Sequence, residues 1–222
     1  MITKQLIVYL LACMGLLACS ASSVTIEGKD GINRQKEYYL YGCQAGSLIP
    51  IASALIDSNG CFRLNVPLPQ EGFYLLGTEQ GVMHPFYLKG NETIRLRFQT
   101  NGMILEGEQT PENQALSQWE QAATLVREHA FLYERFGGGY STDPATFTQE
   151  LEDLLRVRQQ LKPEKATGNA TFNSLLKAKM EADVDFYALA YLQRNAGNLS
   201  DTIRLSNYYQ KMQPEKTLQQ PA

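Results

Sequence analysis

Residues 51–66 read IASALIDSNGCFRLNV, and this stretch decides the fold that the sequence predicts. Its turn is Asn59-Gly60, a pair in which both residues tolerate the positive φ that a type I′ turn requires. After the turn, apolar and polar residues alternate from Phe62 to Val66, so one face of this strand is expected to be buried and the other wet. The stretch therefore predicts a two-residue β-hairpin with one face in a core.

Short strands separated by turn residues continue on both sides of this hairpin. The alternation is clearest in the segment 93–98, where every second residue is apolar. Residues 24–109 are therefore predicted to form an antiparallel β-sandwich. Its strands are expected at Val24–Ile26, Tyr38–Tyr41, Ile51–Ile56, Cys61–Val66, Phe73–Leu76, Pro85–Leu88, Thr93–Phe98 and Met103–Leu105.

The pattern changes to a helical period at Thr110-Pro111, where Thr is a suitable N-cap and Pro a suitable first helical residue. Apolar residues then recur three or four apart, as on one face of a helix. A first helix should end before Gly137-Gly138-Gly139, a second should run from Asp143-Pro144 to Lys162-Pro163, a third from about Thr171 to Asn195, and a short fourth around Leu205 to Met212. The predicted fold class is α+β: an N-terminal antiparallel β-sandwich, then a C-terminal segment of three to four α-helices at 110–212, with a polar tail at 213–222.

The chain begins with the pattern of a cleavable export signal. Lys4 precedes an apolar run that ends at Ala18 and is too short to be a convincing bilayer span. The tetrad Leu16-Leu17-Ala18-Cys19 resembles the lipobox of bacterial lipoproteins, in which the cysteine is acylated and the bond before it is cut. An ordinary secretory signal, cut nearby without lipid, is the alternative interpretation.

The lipobox resemblance implies a signal peptide at 1–18 and a lipidated tether at 19–23, with Cys19 as the first mature residue. A second tetrad, Leu10-Leu11-Ala12-Cys13, leaves too few apolar residues before it to be the processing site. No acidic run follows Cys19, and the resemblance then favours an outer-membrane anchor facing the periplasm. The membrane is thus an expected partner, bound through acyl chains at about 0.8 kcal/mol per buried methylene.

The charge of the chain limits which other classes of partner are expected. The formal net charge is −3 at pH 7 and the chain contains no basic run. Binding to phosphate backbones needs clustered Lys and Arg, so we expect no nucleic-acid partner.

The strand half resembles the DUF4369 family, a β-rich module of Bacteroidetes lipoproteins that commonly precedes a TlpA/ResA-type thiol:disulfide oxidoreductase domain. The resemblance rests on the ordered series of turns between about residues 23 and 135: the Ile26-Glu27-Gly28-Lys29 opening, the Ser53–Phe62 stretch, Pro85-Phe86-Tyr87-Leu88 with Gly90 and Ile94, and the exit at Gly107 and Thr110 to Asn113. It implies a periplasmic role linked to thiol:disulfide exchange.

The chain departs from the longer family members because it contains no Cys-x-x-Cys. Cys43 and Cys61 lie 18 positions apart and form a candidate disulfide, which the periplasm permits. If the hairpin has two loop residues, Cys61 faces Ser58, and only another neighbouring strand would bring Cys43 close enough. Two separate thiols are the alternative. The chain is either a stand-alone relative of the family or the front part of a truncated one.

Other candidate groups carry weaker patterns. His84 and His129 have no metal-ligand spacing and are expected to be structural or exposed, so we expect no metal, no cofactor and no catalytic residue. Asp201-Thr202-Ile203 resembles the acceptor for O-glycosylation in Bacteroidetes, with Thr202 as the site. The aromatic residues of the strands either line a ligand surface or are half-buried strand residues: Tyr38, Tyr39, Tyr41, Phe86 and Tyr87.

Three functions follow from these patterns. The first is a non-enzymatic periplasmic lipoprotein with an interaction or accessory role, linked to thiol:disulfide oxidoreductases through a protein partner. The second is the N-terminal part of a TlpA-like thiol:disulfide interchange lipoprotein. The third is a sandwich that binds a carbohydrate or peptide ligand.

Overall fold

The computed structural model describes residues 22–31, 36–44, 46–68, 70–79, 83–99, 102–131 and 142–195. Eight strands come first and three helices follow, as the sequence predicts. The strands are β1 Ser23–Asp30, β2 Glu37–Gln44, β3 Ser47–Leu55, β4 Cys61–Pro67, β5 Gly72–Gly77, β6 His84–Leu88, β7 Glu92–Gln99 and β8 Gly102–Glu106. The helices are α1 Pro111–Ala130, α2 Pro144–Leu161 and α3 Ala170–Asn195, with a 3₁₀ turn at Pro163–Lys165.

The strands form two four-stranded sheets. Sheet A has the order β4-β1-β7-β8 and sheet B the order β3-β2-β5-β6. All pairings are antiparallel except that of β1 with β7, which is parallel. The α+β fold class is therefore confirmed, with mostly antiparallel sheets followed by helices.

The hairpin prediction at Asn59-Gly60 is wrong in two respects. The strands on either side of the turn belong to different sheets, because β3 pairs with β2 and β4 pairs with β1. Gly60 has φ 78, whereas Asn59 is not among the described residues with positive φ, so the turn is not of type I′. Asp57 closes it instead: its backbone N–H donates to Cys61 O at 2.8 Å, and its carboxylate accepts from the N–H groups of Asn59 and Cys61. The Asp57–Gly60 turn is thus a corner between the sheets.

Apolar residues on the inner faces of the two sheets form the sandwich core, and its centre is a stack of aromatic rings. The Tyr38 ring packs on both Phe62 and Phe98 with centroid distances of 4.5 Å, and the Phe62 and Phe98 centroids are 6.3 Å apart, so the three rings contact one another. Phe62 stands directly opposite Gly28 in the register of β4 and β1. A Cβ on Gly28 would lie 2.1 Å from the Phe62 ring, so the stack depends on the missing side chain.

The helix starts and the ends of α2 and α3 lie where the sequence predicts, whereas α1 ends at Ala130, before the predicted stop at Gly137. Thr110 caps α1, Asp143 caps α2 through Oδ bonds to two backbone N–H groups, and α2 ends at Lys162 in the left-handed conformation before Pro163. The apolar positions predicted for α3 are all buried: Phe172, Leu176, Met180, Val184, Tyr187 and Tyr191. Predictions at Tyr133, Gly137–Gly139, the fourth helix and the tail at 213–222 lie outside the described residues.

The helices pack on the outer face of sheet B, over β5 and β6, and form a second core. Tyr87 belongs to this core, although its neighbours Phe86 and Leu88 point into the sandwich. The Tyr87 ring meets Phe172 of α3 edge-on at 4.9 Å, and Phe73 joins the same cluster. The fold therefore has three layers: sheet A, sheet B and the helices.

Candidate functional site

The strand β3 forms one edge of sheet B, and all its residues are exposed except Ala52 and Ala54, which are half-buried against the sandwich core. Its sequence SLIPIASAL contains no charged residue. Leu48 is 48% exposed and Leu55 is 72% exposed, and Ile49 and Ile51 are exposed as well. Within the described residues, β3 pairs with β2 on one side and with no strand on the other.

The edge position agrees with the residues of β3 themselves. Pro50 has no backbone N–H to donate, and a proline within a strand is tolerated at a sheet edge or a bulge. The register shifts beside it, because Leu40 pairs with Ala52 whereas Tyr41 pairs with Pro50. Ile51 is therefore an extra residue, and β3 bulges there.

The outer face of β2 extends this apolar strip. Tyr39 and Tyr41 lie side by side with their ring centroids 6.0 Å apart, and both are half-buried. Cys43 follows on the same face and pairs in register with Leu48. We call β3 together with Tyr39, Tyr41 and Cys43 the edge surface.

Polar groups border the edge surface at its Leu55 end. The Tyr39 hydroxyl donates to Glu37 Oε2 at 2.7 Å. Hydrogen bonds from Ser53 and Tyr39 lower the pKa of Glu37, and the bond to Glu37 raises the pKa of Tyr39. Glu37 is therefore ionised at neutral pH and keeps the Tyr39 hydroxyl oriented along the surface.

This arrangement can bind an extended polypeptide. An edge strand offers free backbone donors and acceptors, and a partner strand can add to the sheet through them. Exposed tyrosine and aliphatic side chains without charge are the composition of a protein interface core. No described group of the edge surface makes a nucleophile–base pair.

A second feature is a shallow depression of about 510 Å³ above sheet A. Glu27 lies at its centre and binds two cations, through Oε1 to Arg63 Nη1 at 3.2 Å and through Oε2 to Arg95 Nε at 3.1 Å. The lining also includes Lys29, Leu55 and Cys61. The ladder forms because β1 lies between β4 and β7, which places Arg63 and Arg95 opposite Glu27 in the register.

A third feature is an ion network between α1 and α3. Lys179 Nζ lies 2.9 Å from Glu120 Oε1 and 2.8 Å from Asp183 Oδ2, and Arg127 Nη1 lies 2.8 Å from Glu120 Oε2. Burial alone would raise the pKa of Glu120, but its two cationic partners outweigh burial, so the pKa is lowered. Asp183 also accepts from Trp119 Nε1 at 2.8 Å. Two cations face two anions, so the network holds the helices together without excess charge.

The histidines occupy structural positions. His129 Nδ1 lies 2.7 Å from Glu150 Oε2 and joins α1 to α2. The His84 ring packs 5.4 Å from Phe98, and burial lowers its pKa, so this ring is neutral at pH 7. Among the described residues no group of three or more His, Cys, Asp or Glu side chains could hold a metal ion.

Cys43 and Cys61 are free thiols. The candidate disulfide is not formed, and the structure has the alternative of two separate thiols. The cause is the division of the sheets, because Cys43 lies in β2 of sheet B and Cys61 in β4 of sheet A. Cys61 also differs from the prediction in its neighbour, since it is bonded to Asp57 across the turn and not to Ser58.

The five aromatic residues expected on the strands do not form one surface. Tyr38 and Phe86 are buried in the sandwich core, and Tyr87 is buried in the helical core. The structure brings only Tyr39 and Tyr41 together on an accessible face. Leu48 lies on the same face, opposite Cys43, and exposed Ile49 lies on the other face, opposite Gly42; neither is predicted, because the predicted strand starts at Ile51. The available signal was Pro50, which marks an edge strand.

The lipidation site Cys19 and the glycosylation site Thr202 lie outside the described residues. None of the helices in the described ranges is long and apolar enough to cross a membrane. In comparisons with protein-family models, with curated protein sequences and with solved structures, nothing matches this chain.

Proposed function

We propose that this chain is a non-catalytic lipoprotein of the outer membrane that faces the periplasm and binds a protein partner along the edge surface. The observation that carries the interaction role is the open, uncharged edge strand β3. The sequence pattern at Cys19 supports the anchor.

The occupant of the edge surface is an extended segment of a periplasmic protein. The free backbone groups of an edge strand pair with the backbone of an extended polypeptide. The side chains of β3 carry no charge with which an ionic ligand would pair. The partner segment should therefore be apolar and uncharged where it faces Leu48 and Ile49. Pro50 and the bulge at Ile51 limit the register, because pairing must be interrupted there.

The likeness of the strand half to the DUF4369 module supports a partner among thiol:disulfide oxidoreductases. In this proposal the chain supplies the anchor and the docking strand, and the partner supplies the redox dithiol. Cys43 and Cys61 support that division, because they lie in different sheets and cannot act as a Cys-x-x-Cys pair.

Site-specific photo-crosslinking in cells tests the interaction. A photoreactive amino acid replaces Leu48 or Leu55 on the edge surface, and Leu125 on α1, which is exposed to a similar degree as Leu48, serves as the matched control. We expect one discrete adduct from the two β3 positions and none from Leu125. The adduct should disappear when Ile49→Lys places a charge on the strand. Equal adducts at all three positions, or an adduct insensitive to Ile49→Lys, would contradict the proposal.

Metabolic labelling with a palmitate analogue tests the anchor. The two tetrads give a matched pair of variants, Cys19→Ser and Cys13→Ser. We expect label in the wild-type chain and in Cys13→Ser, and none in Cys19→Ser. Label that persists in Cys19→Ser overturns the lipid anchor at this position.

An insulin-reduction assay on the purified mature chain tests the absence of catalysis. We expect turbidity to develop no faster than with the reductant alone. Strong activity that is lost in Cys43→Ser or Cys61→Ser would show that the chain is itself an oxidoreductase.

The depression above sheet A favours a second candidate function, a ligand-binding sandwich. Arg63 and Arg95 share one carboxylate there, so an acidic sugar or a peptide carboxylate could compete with Glu27 for them. Glycan and peptide arrays test this idea. Saturable binding that is lost in Arg95→Ala would support it, and an array without saturable binding would remove it.

A further inference from the structure

The sandwich has two distinct ends, which the strand registers define. One end carries Ser22, the Pro67–Leu68 exit of β4 and the Lys89-Gly90-Asn91 turn, because Ser23 pairs with Pro67 and Val24 with Glu92. The other end carries the Asp57–Gly60 turn, because Lys29 pairs with Cys61. We call them the N-terminal end and the distal end.

The chain enters the N-terminal end at a fixed point. Leu68 N donates to Ser22 O at 2.8 Å, and Asn91 N donates to Ser23 O at 2.7 Å. Gly90 approaches so closely that a Cβ there would lie 2.5 Å from Ser22 Cβ. Ser22 is therefore held on both sides, by the end of β4 and by the turn before β7.

We propose that the N-terminal end of the sandwich lies against the membrane surface, an inference that rests on the proposed acylation of Cys19. Cys19 is three residues before Ser22. Three residues reach at most about 11 Å even when fully extended. The acyl chains enter the bilayer at Cys19, so this end of the sandwich has no room to move away from the headgroups.

The distal end stands clear of the membrane. The eight residues of β1 join the two ends, and a strand of that length spans about 25 Å. The Asp57–Gly60 turn is thus separated from the lipid by the height of the sandwich.

The short tether holds the N-terminal end of the sandwich against the membrane surface, and electrostatic attraction to the lipid does not contribute. Glu71 and Glu108 are exposed near the N-terminal end, and the Lys89 ammonium there is bound to Glu112 at 3.0 Å. The described residues of this end therefore include no cluster of free cations of the kind that attracts anionic lipid. The same orientation is expected on neutral and on anionic bilayers.

The orientation has a consequence for the edge surface. Ser47 begins β3 at the N-terminal end, since it pairs with Gln44, and Leu55 ends β3 at the distal end. The strand therefore rises from the membrane, and a docked segment would run along the membrane normal. Leu55 is then the part of the edge surface that a periplasmic partner reaches first.

Fluorescence quenching by lipids with a spin-labelled headgroup tests the orientation. The acylated full chain, with Cys43→Ser and Cys61→Ser, is reconstituted into phosphatidylcholine vesicles and labelled at Gln70→Cys in one sample and at Ser58→Cys in another. Both positions are exposed in turns, Gln70 at the N-terminal end and Ser58 at the distal end. We expect several-fold stronger quenching at Gln70 than at Ser58, unchanged when phosphatidylglycerol is added.

Two further measurements separate the orientation from the anchor. The mass of the N-terminal peptide and flotation of the vesicles report acylation before any quenching is read. An acylated, floating chain with equal quenching at both labels, or stronger quenching at Ser58, overturns the orientation alone, whereas a chain without acyl mass overturns the anchor. Inserting 20 Gly/Ser residues after Ala21 gives a tether with a root-mean-square length of about 25 Å, and the difference between the two labels should shrink. If Gln70→Cys does not fold, Glu71→Cys in the same turn replaces it.

Discussion

Replacing Gly28 by alanine tests the aromatic stack that centres the sandwich. The new methyl group would lie 2.1 Å from the Phe62 ring, well inside van der Waals contact. Phe62 cannot move away easily, because Tyr38 is stacked on it at 4.5 Å and Phe98 contacts it at 6.3 Å. The substitution therefore has to displace a ring that two neighbouring rings hold.

The magnitude follows from overpacking of a filled core. Extra methyl groups in well-packed cores cost about 1–3 kcal/mol. Gly72→Ala is the matched control, since no atom lies within 4 Å of the position of its Cβ. There the same change should stabilise the folded chain by about 0.4–1 kcal/mol, because alanine restricts the unfolded chain. The two variants should differ in the free energy of unfolding by about 1.4–4 kcal/mol.

Urea unfolding of the chain from residue 20, followed by circular dichroism, measures both variants. In thermal unfolding each kcal/mol corresponds to about 2–4 °C for a chain of this size. Phe62→Leu, which shortens the ring side chain, should partly rescue Gly28→Ala and give a favourable coupling of at least about 0.5 kcal/mol. Equal stability of Gly28→Ala and Gly72→Ala would refute the proposed contact.

Three other predictions concern the helical layer and the thiols. Asn113→Ala should lower the free energy of unfolding by about 2–4 kcal/mol, because the Asn113 amide binds both Tyr87 N and Tyr87 O at 2.9 Å and its loss leaves two buried groups unpaired; urea titration measures this. The pKa of Glu120 is held below its ordinary value of 4.5. The ionised carboxylate therefore stabilises the fold above that pH, and this stabilisation is lost as the pH falls through the lowered pKa. In Glu120→Gln the free energy of unfolding should fall less steeply on acidification than in the wild-type chain. A thiol reagent should modify exposed Cys43 faster than half-buried Cys61, with two thiols counted before reduction.

Each of these has a control on the same chain. Gln114→Ala changes an exposed amide next to Asn113 and should cost little. Glu152→Gln removes an exposed carboxylate of α2 and should leave the acid limb as in the wild-type chain. A mass increase of two hydrogens on reduction would reveal a disulfide and contradict the thiol count.

The sequence predicts the elements well because their signals are local. Thr110 and Asp143 cap their helices through bonds to residues two or three positions ahead, and Lys162 stops α2 next to a proline. Alternation along each strand likewise depends on near neighbours, so each of the eight predicted strands overlaps an observed one, although β3 begins at Ser47 and not at Ile51. These signals need no knowledge of what the element packs against.

Sheet membership is not local, and there the sequence prediction is wrong. The alternation in β4 predicts that one face of the strand is buried, but it does not predict which strand pairs with β4. The Asp57 side chain, which bonds to the N–H groups of Asn59 and Cys61, favours a sharp corner as readily as a hairpin. The pairing of β1 with β4 and β7 joins residues that are distant in the chain, as in the pair Lys29 and Cys61 or the bond between Thr25 Oγ1 and Asn65 Oδ1 at 2.9 Å. Such pairings are decided by which sheets close around the shared core.

The candidate site could not be predicted from the sequence for a related reason. Apolar residues such as Leu48 and Ile49 are usually buried, and only the position of β3 at a sheet edge leaves them exposed. Tyr39 and Tyr87 look alike in the sequence as well. They differ because the helices cover β5 and β6 on the outer face of sheet B and stop short of β2 and β3.

The treatment of the two edges of sheet B argues for the role of β3. At the β6 edge, the Asn113 amide donates to Tyr87 O and accepts from Tyr87 N, so a side chain from α1 occupies the backbone groups that a further strand would use. At the β3 edge no described helix takes that place, and exposed Leu48, Ile49 and Leu55 remain beside the open backbone. Exposed edges are commonly blocked because they attract unwanted pairing. A fold that blocks one edge with a buried amide and leaves the other apolar and uncovered is consistent with an open edge that serves a partner.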